Sequence, residues 1–306
     1  MHDVYTAIFE PGFFGNPQVH VAVAVGGVVA IVCAVVGVFT VMRGQSFAGH
    51  SLGDVSAAGG SGALLIGLNP VAGFVGLGAV GAAVMDMIGV QRLRSRDLAT
   101  GIVLGAAIGL SALFLYLTTT TGATTGATQH VLFGSIFTIA TGTISVVTAL
   151  GGLALAGVAL VYRPLLLSTV SPDVAAARGV PVRLVGVTYM LALAVSVGLS
   201  SLALGAILST ALLIGPAAAA LRLTRRIAWA LVIACVISVL ATWLGVLLSY
   251  DSYDWGSAHN GRLPVSFFIV ALVVATYVLS SAASARTARA TAPRRDLIKV
   301  PAGTEG

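Results

Sequence analysis

His50 and Asp54 are the two residues of this sequence whose types and spacing most directly predict chemistry. They are four residues apart, which places both on one face of a helix, one turn from each other. They fall within an apolar stretch, where ionisable groups are costly and usually face a bundle interior or a water-filled path. An imidazole nitrogen and a carboxylate oxygen are also ligands of divalent transition metals. The pair therefore predicts a metal-binding position, with a mutually hydrogen-bonded packing pair as the alternative.

The composition indicates what kind of protein surrounds this pair. Of the 306 residues, 58% are hydrophobic and 8% are charged, against about 25% charged in ordinary soluble domains. This excludes a soluble enzyme and predicts an all-α polytopic membrane protein. The 37 glycines favour helices that pack closely in lipid. The net charge of +6 comes from basic residues in short loops, so we expect no nucleic-acid partner.

Apolar runs of about 18 or more residues are candidate membrane spans. Nine such runs cover residues 19–42, 46–68, 70–91, 98–119, 130–161, 184–203, 205–222, 227–249 and 264–284. The sixth and seventh meet at Gly205 with almost no loop between them. That junction is either a tight external hairpin or a re-entrant element, so the sequence predicts eight or nine spans.

The basic residues predict the orientation of the chain. With the N-terminus outside, every lysine and arginine except Arg262 falls on the cytoplasmic side of the nine runs, as the positive-inside rule requires. This gives an external segment over 1–18, a permease domain over 19–284 and a basic cytoplasmic tail over 285–306. We therefore expect a multi-pass protein of the plasma membrane with a cytoplasmic C-terminus.

One cytoplasmic connection, between the fifth and sixth runs, carries signals for a short helix over about 171–181. Ser171 can cap the helix, Pro172 suits its first position, and Asp173 in the first turn is favourable to the helix dipole. Gly179 and Pro181 then end it. The helix is either a plain connector or a docking element for a cleft on a cytoplasmic partner.

Five segments of the chain, in this order, resemble one known family. They are RGQSFAGHSLGDVSAAG at 43–59, RSRDLATGI at 94–102, LFGSI at 132–136, PDVAAARGVP at 172–181 and GAILSTALLIGPAA at 205–218. In these segments the chain resembles the membrane-spanning subunit of the ABC-3 family, the permeases of ATP-driven manganese, zinc and sometimes iron importers. The family's second span carries aspartate before histidine. Here His50 precedes Asp54, and Ala58 replaces a proline of the family pattern.

The resemblance implies a permease of the type II ABC importer kind, acting as a homodimer around a path lined by His50 and Asp54. It implies Mn²⁺ or Zn²⁺ as the transported substrate, no permanently bound cofactor, and an extracytoplasmic metal-binding protein that delivers the ion. Cytoplasmic ABC ATPase subunits would dock on Ser171, Pro172, Asp173, Ala176, Arg178 and Gly179. The sequence contains no Walker-type phosphate loop, so ATP hydrolysis would belong to those separate subunits rather than to this chain.

Two ligands do not complete a metal site, since zinc usually takes four and manganese about six. Asp86 lies near the inner end of its run and is the best third candidate, with an ion pair to Arg43 or Arg92 as the alternative. His130 opens the fifth run on the external side. It is either a ligand where the ion enters or a hydrogen-bonded surface group.

Two rival functions remain open at this point. One is a type II permease for a metal chelate of the siderophore or cobalamin kind, which would have a wider path and no ligand pair at i, i+4. The other is a secondary metal transporter or channel, which would need no docking helix and no ATPase.

Overall fold

The computed structural model describes residues 15–88, 96–120, 127–134, 136–252 and 263–291. The described chain is helical throughout and contains no strand. Its α-helices are α1 Pro17–Met42, α2 Ser46–Leu65, α3 Pro70–Ile88, α4 Arg96–Thr120, α5 Ala127–Phe133, α6 Thr143–Leu160, α7 Tyr162–Val170, α8 Pro172–Ala177, α9 Val182–Leu204, α10 Ala206–Leu223, α11 Ile227–Asp251 and α12 Val265–Thr291. Residues 1–14 and 292–306, most of the predicted end segments, lie outside the described ranges.

Eight of these helices are long and apolar enough to cross a membrane: α1, α3, α4, α6, α9, α10, α11 and α12. The ninth long helix, α2, has 20 residues, but it carries four serines besides His50 and Asp54. Its low hydropathy is compatible with membrane depth because other helices cover most of its surface. The nine predicted runs thus correspond to nine long helices, of which eight qualify as spans by hydropathy.

The prediction of one continuous span over 130–161 was wrong. This run forms α5, a 3₁₀ turn at Ile136–Thr138 and then the 18-residue α6. The α5 helix ends at Phe133, and the φ of 81° at the following Gly134 is incompatible with helix continuation. A second departure concerns residues 162–170, expected to be part of a loop, which form α7.

The junction between α9 and α10 is a tight hairpin made by a single residue, Gly205, with φ of 86°. The hairpin brings the Ser200 hydroxyl close enough to donate to the Ser209 carbonyl at 3.2 Å. Gly134 and Gly205 lie against each other's backbone, and a Cβ on either would collide with the neighbouring segment. The junction is therefore a tight hairpin rather than a re-entrant element, its external position stays a prediction, and only glycine fits at this crossing.

The α2 helix is held on three sides, which determines the face it leaves open. Gly49 and Gly53 pack against Leu193 and Val197 of α9 and against Leu213 and Ser209 of α10. Gly59 and Gly60 pack against Gly73 and Phe74 of α3, and the Ser51 hydroxyl donates to the Thr100 carbonyl of α4 at 3.2 Å. Small side chains on α2 permit these close approaches. The side that carries Phe47, His50 and Asp54 remains accessible, with Phe47 46% exposed.

Candidate metal-ligand pair and docking helix

His50 and Asp54 lie side by side on α2, as their spacing predicts. The His50 Nε2 and Asp54 Oδ2 atoms are 3.8 Å apart, and the side chains are 42% and 18% exposed. With metal–ligand distances of about 2.0–2.2 Å, two ligands of one ion lie at most about 4.4 Å apart. Both atoms can therefore bind a single ion without movement of the backbone. Their exposure leaves room for water or further ligands in the coordination shell.

The helix packing, rather than direct contacts of the two side chains, fixes the direction in which the pair points. The α2 residues that contact α9 and α10 are adjacent in sequence to the pair: Gly49 precedes His50, and Gly53 precedes Asp54. At about 100° per residue, the pair is turned away from that interface onto the open side. Both donors thus face the same accessible surface of this copy.

Asp86 lies at the predicted depth but on another side of α2. The two helices run antiparallel, with Gly59 close to Gly73 and Val55 close to Gly81. This register brings half-buried Asp86 level with the first turns of α2. The contacts to α3 are on the opposite side of α2 from the pair, and no three His, Cys, Asp or Glu side chains cluster within the described ranges. A ligand role for Asp86 stays a prediction, and Arg92, one alternative partner, is not among the described residues.

His130 is on the short helix α5, at the opposite end of α2 from the pair. It lines a cavity of about 510 Å³ together with Leu64, Asn69 and Thr138. Leu64 is 14 residues after His50, which corresponds to about 21 Å along the helix. Within one copy His130 is therefore separate from the pair, and its role where an ion enters stays a prediction.

The predicted short cytoplasmic helix is α8, and its capping follows the sequence signals. The Ser171 hydroxyl accepts a hydrogen bond from the Val174 amide at 3.4 Å, and Pro172 is the first helical residue. At the other end the amides of Gly179 and Val180 donate to the carbonyls of Ala176 and Ala175, at 2.9 and 3.1 Å. This is the Schellman arrangement, which favours glycine because φ is positive, here 76°.

The exposure of α8 fits a docking surface. Ala175 is fully buried and anchors the helix to the bundle. Pro172, Asp173, Ala176, Arg178 and Gly179 are exposed, and Ser171 is half-buried. The docking residues predicted from the sequence are thus accessible, while their role stays a prediction.

Arg43, predicted only as a cytoplasmic charge and as one alternative partner of Asp86, makes contacts that its sequence neighbourhood does not indicate. The Arg43 Nη1 atom donates to the Ser168 hydroxyl of α7 at 3.3 Å, and its Cζ lies 5.0 Å from the ring centre of Tyr189 in α9. Burial lowers the pKa of the Arg43 guanidinium, because desolvation disfavours its charged form. Both partners are more than 120 residues away in sequence, so local patterns gave no signal for them.

A family model and two characterised relatives that match this chain all describe membrane transport proteins. The family model described as ABC 3 transport family matches residues 17–283. The manganese transport system membrane protein MntC of Halalkalibacterium halodurans is 31% identical over 225 residues, which is 73% of this chain and 76% of the relative. The chelated iron transport system membrane protein YfeD of Yersinia pestis is 27% identical over 273 residues, covering 89% of this chain and 90% of YfeD.

A solved structure shares the fold. PsaBC from Streptococcus pneumoniae, in complex with Fab, superposes with a TM-score of 0.75 at 21% sequence identity. The superposition covers 92% of this chain and 95% of that one.

Proposed function

The chain belongs to the ABC 3 transport family, and from this membership we propose that it is the permease of an ATP-driven importer of divalent transition metal ions. It is a multi-pass protein of the plasma membrane, with eight helices suited to cross the bilayer. It is a transporter subunit rather than an enzyme.

The observation that carries the proposal is the His50–Asp54 pair. Its two donor atoms are 3.8 Å apart on an accessible face of α2. Ionisable side chains within a membrane protein's helical bundle are energetically costly, so their presence favours a functional role. One nitrogen and one oxygen donor form a partial site, which suits a transporter because the ion must also leave. The substrate is Mn²⁺ or Zn²⁺, and the name of the manganese-transport relative favours Mn²⁺.

The open face of α2 also supports the homodimer. A second copy facing this surface would bring a second imidazole and a second carboxylate to the same ion. Four protein ligands with added water fit the coordination numbers of both candidate metals better than two ligands do. The homodimer thus supplies the ligands that one copy lacks next to the pair.

The exposed face of α8 supports the proposed interaction with cytoplasmic ATPase subunits. Cytoplasmic ATPase subunits dock on this helix, and their ATP-driven closure moves it and switches which side of the membrane the pair faces. An extracytoplasmic metal-binding protein delivers the ion at the other end. In this mechanism uptake requires both partners.

The decisive experiment measures ⁵⁴Mn²⁺ uptake by cells or proteoliposomes that contain the chain with its ATPase and binding protein. His50→Ala and Asp54→Ala should each reduce uptake to background while leaving membrane insertion and ATPase assembly unchanged. His20→Ala and Asp251→Ala remove the same residue types elsewhere and should keep uptake near the wild-type rate. Normal uptake in both pair variants would contradict the proposal, and wild-type uptake without any ATPase would favour a secondary transporter instead.

A metal chelate is a second candidate substrate, because the relative YfeD belongs to a chelated iron transport system. The small size of a site built on one imidazole and one carboxylate per copy favours the bare ion. Direct uptake separates the two: the transporter should import labelled Mn²⁺ or Zn²⁺, whereas import of a labelled iron chelate without import of either free ion would establish the alternative.

A further inference from the structure

We propose that Arg43 is a positioning residue that couples the docking helix α8 to the metal-ligand pair. This inference rests on the proposed function, since coupling has meaning only in a transporter. Arg43 follows the last residue of α1, and two residues separate it from the start of α2. Its side chain contacts the helices on either side of α8, which are α7 and α9.

On the docking side, Arg43 reaches the segment that leads directly into α8. Its guanidinium donates to the Ser168 hydroxyl, and Ser168 is only 3% exposed. Three residues later Ser171 both ends α7 and caps α8, with its amide bonded to the Leu167 carbonyl at 3.0 Å. Because Ser171 alone separates α7 from α8, a displacement of α8 also displaces Ser168.

Tyr189 provides the contact on the other side of α8. The guanidinium lies over its ring, and the tyrosine is completely buried. The Thr40 hydroxyl donates to the Val36 carbonyl at 2.9 Å, so the Tyr189 hydroxyl donates to Thr40 Oγ1 at 2.8 Å. A planar guanidinium can stack on a ring and donate to a hydroxyl at once, whereas a lysine ammonium cannot reproduce this geometry.

On the metal side, the link from Arg43 to α2 is short and closed by hydrogen bonds. The Arg43 amide donates to the Phe39 carbonyl and the Gln45 amide to the Thr40 carbonyl, both at 2.9 Å. The Gly49 amide then donates to the Gln45 carbonyl at 3.0 Å, next to His50. A shift of Arg43 therefore moves the first turns of α2, where the pair lies, rather than being absorbed in a loop.

The test compares metal uptake with ATP hydrolysis in proteoliposomes containing the whole transporter, with Mn²⁺ as the probe. Arg43→Ala should lower the number of ions imported per ATP by about tenfold, because a hydrogen bond and a stacking contact of a charged group are lost together. Ser168→Ala removes one contact and should lower the ratio by about threefold. The double variant should be no worse than Arg43→Ala, since both changes break the same link.

Arg222→Ala is the matched control. Arg222 also stacks on a tyrosine, Tyr277, and donates to a serine, Ser281, but these contacts join α10 to α12, away from α8 in sequence. The number of ions that the Arg222→Ala transporter imports per ATP should stay within about twofold of wild type, as expected for exposed contacts.

The outcomes separate the two proposals. Normal wild-type uptake with an unchanged ratio in Arg43→Ala overturns the coupling inference and leaves the proposed function standing. If Arg43→Ala does not assemble, an unchanged ratio in Ser168→Ala overturns it as well. Absence of Mn²⁺ and Zn²⁺ uptake by the wild-type transporter would overturn the proposed function and this inference with it.

Discussion

Arg43 and Arg222 make similar contacts in two different regions of the molecule. Each lies at the C-terminal end of a helix, where a cation is favourable to the helix dipole. Arg43 stacks on Tyr189 at 5.0 Å and donates to a serine at 3.3 Å, while Arg222 stacks on Tyr277 at 4.9 Å and donates to a serine at 2.9 Å. Both are at the same end of the bundle, because the last turns of α1 and α10 pack together.

The two arginines differ in burial and in what they connect. Arg222 is exposed and ties together two long helices, α10 and α12. Arg43 is half-buried beside a fully buried tyrosine and ties the α1–α2 turn to the helices around α8. Similar contact chemistry therefore has unequal consequences: one cluster stabilises a helix pair, and the other lies between two predicted functional sites.

The largest expected difference between the clusters is in stability after loss of the arginine. Arg43→Ala leaves the buried Ser168 hydroxyl without its donor and removes the stacking contact on buried Tyr189, at a cost of about 2 kcal/mol, whereas exposed Arg222→Ala should cost about 0.5 kcal/mol or less. Thermal unfolding of the detergent-solubilised proteins should show a clearly lower midpoint only for Arg43→Ala. Equal midpoints would remove the distinction between the clusters.

Glycine substitutions extend the comparison to α8, the predicted docking helix. Gly179 and Gly67 both have positive φ, 76° and 71°, and both have open space where a Cβ would lie. Alanine at either position costs about 1 kcal/mol in backbone strain, but only Gly179 shapes α8. Pull-down of the ATPase should therefore weaken for Gly179→Ala and stay unchanged for Gly67→Ala; equal binding would argue against docking on α8.

The smallest expected difference concerns the tyrosine hydroxyls. Tyr189→Phe keeps the ring but removes the buried hydrogen bond to Thr40, at a cost of about 1 kcal/mol. Tyr277→Phe loses a bond from exposed Arg222 and should be nearly neutral. The same unfolding assay measures both, and a larger effect at Tyr277 would reverse the ranking of the two clusters.

The features predictable from the sequence are those encoded locally. The spacing of His50 and Asp54 was sufficient to place them on one helix face, and Ser171, Pro172 and Gly179 defined the ends of α8. The break near Gly134 was not predicted, and the structure places this glycine at a backbone crossing with Gly205, far along the chain. Arg43 illustrates the limit of local patterns, since Ser168 of α7 and Tyr189 of α9 come next to it only in the folded bundle.

The crossing of Gly134 and Gly205 has a consequence for biosynthesis. The ribosome completes α5 long before it synthesises the α9–α10 hairpin, yet the backbone around Gly134 packs against the turn of that hairpin. The contact around Gly134 therefore forms only after the α9–α10 hairpin has been synthesised and inserted. Packing of the backbone around α5 is thus completed by a segment that is synthesised about 70 residues later in the chain.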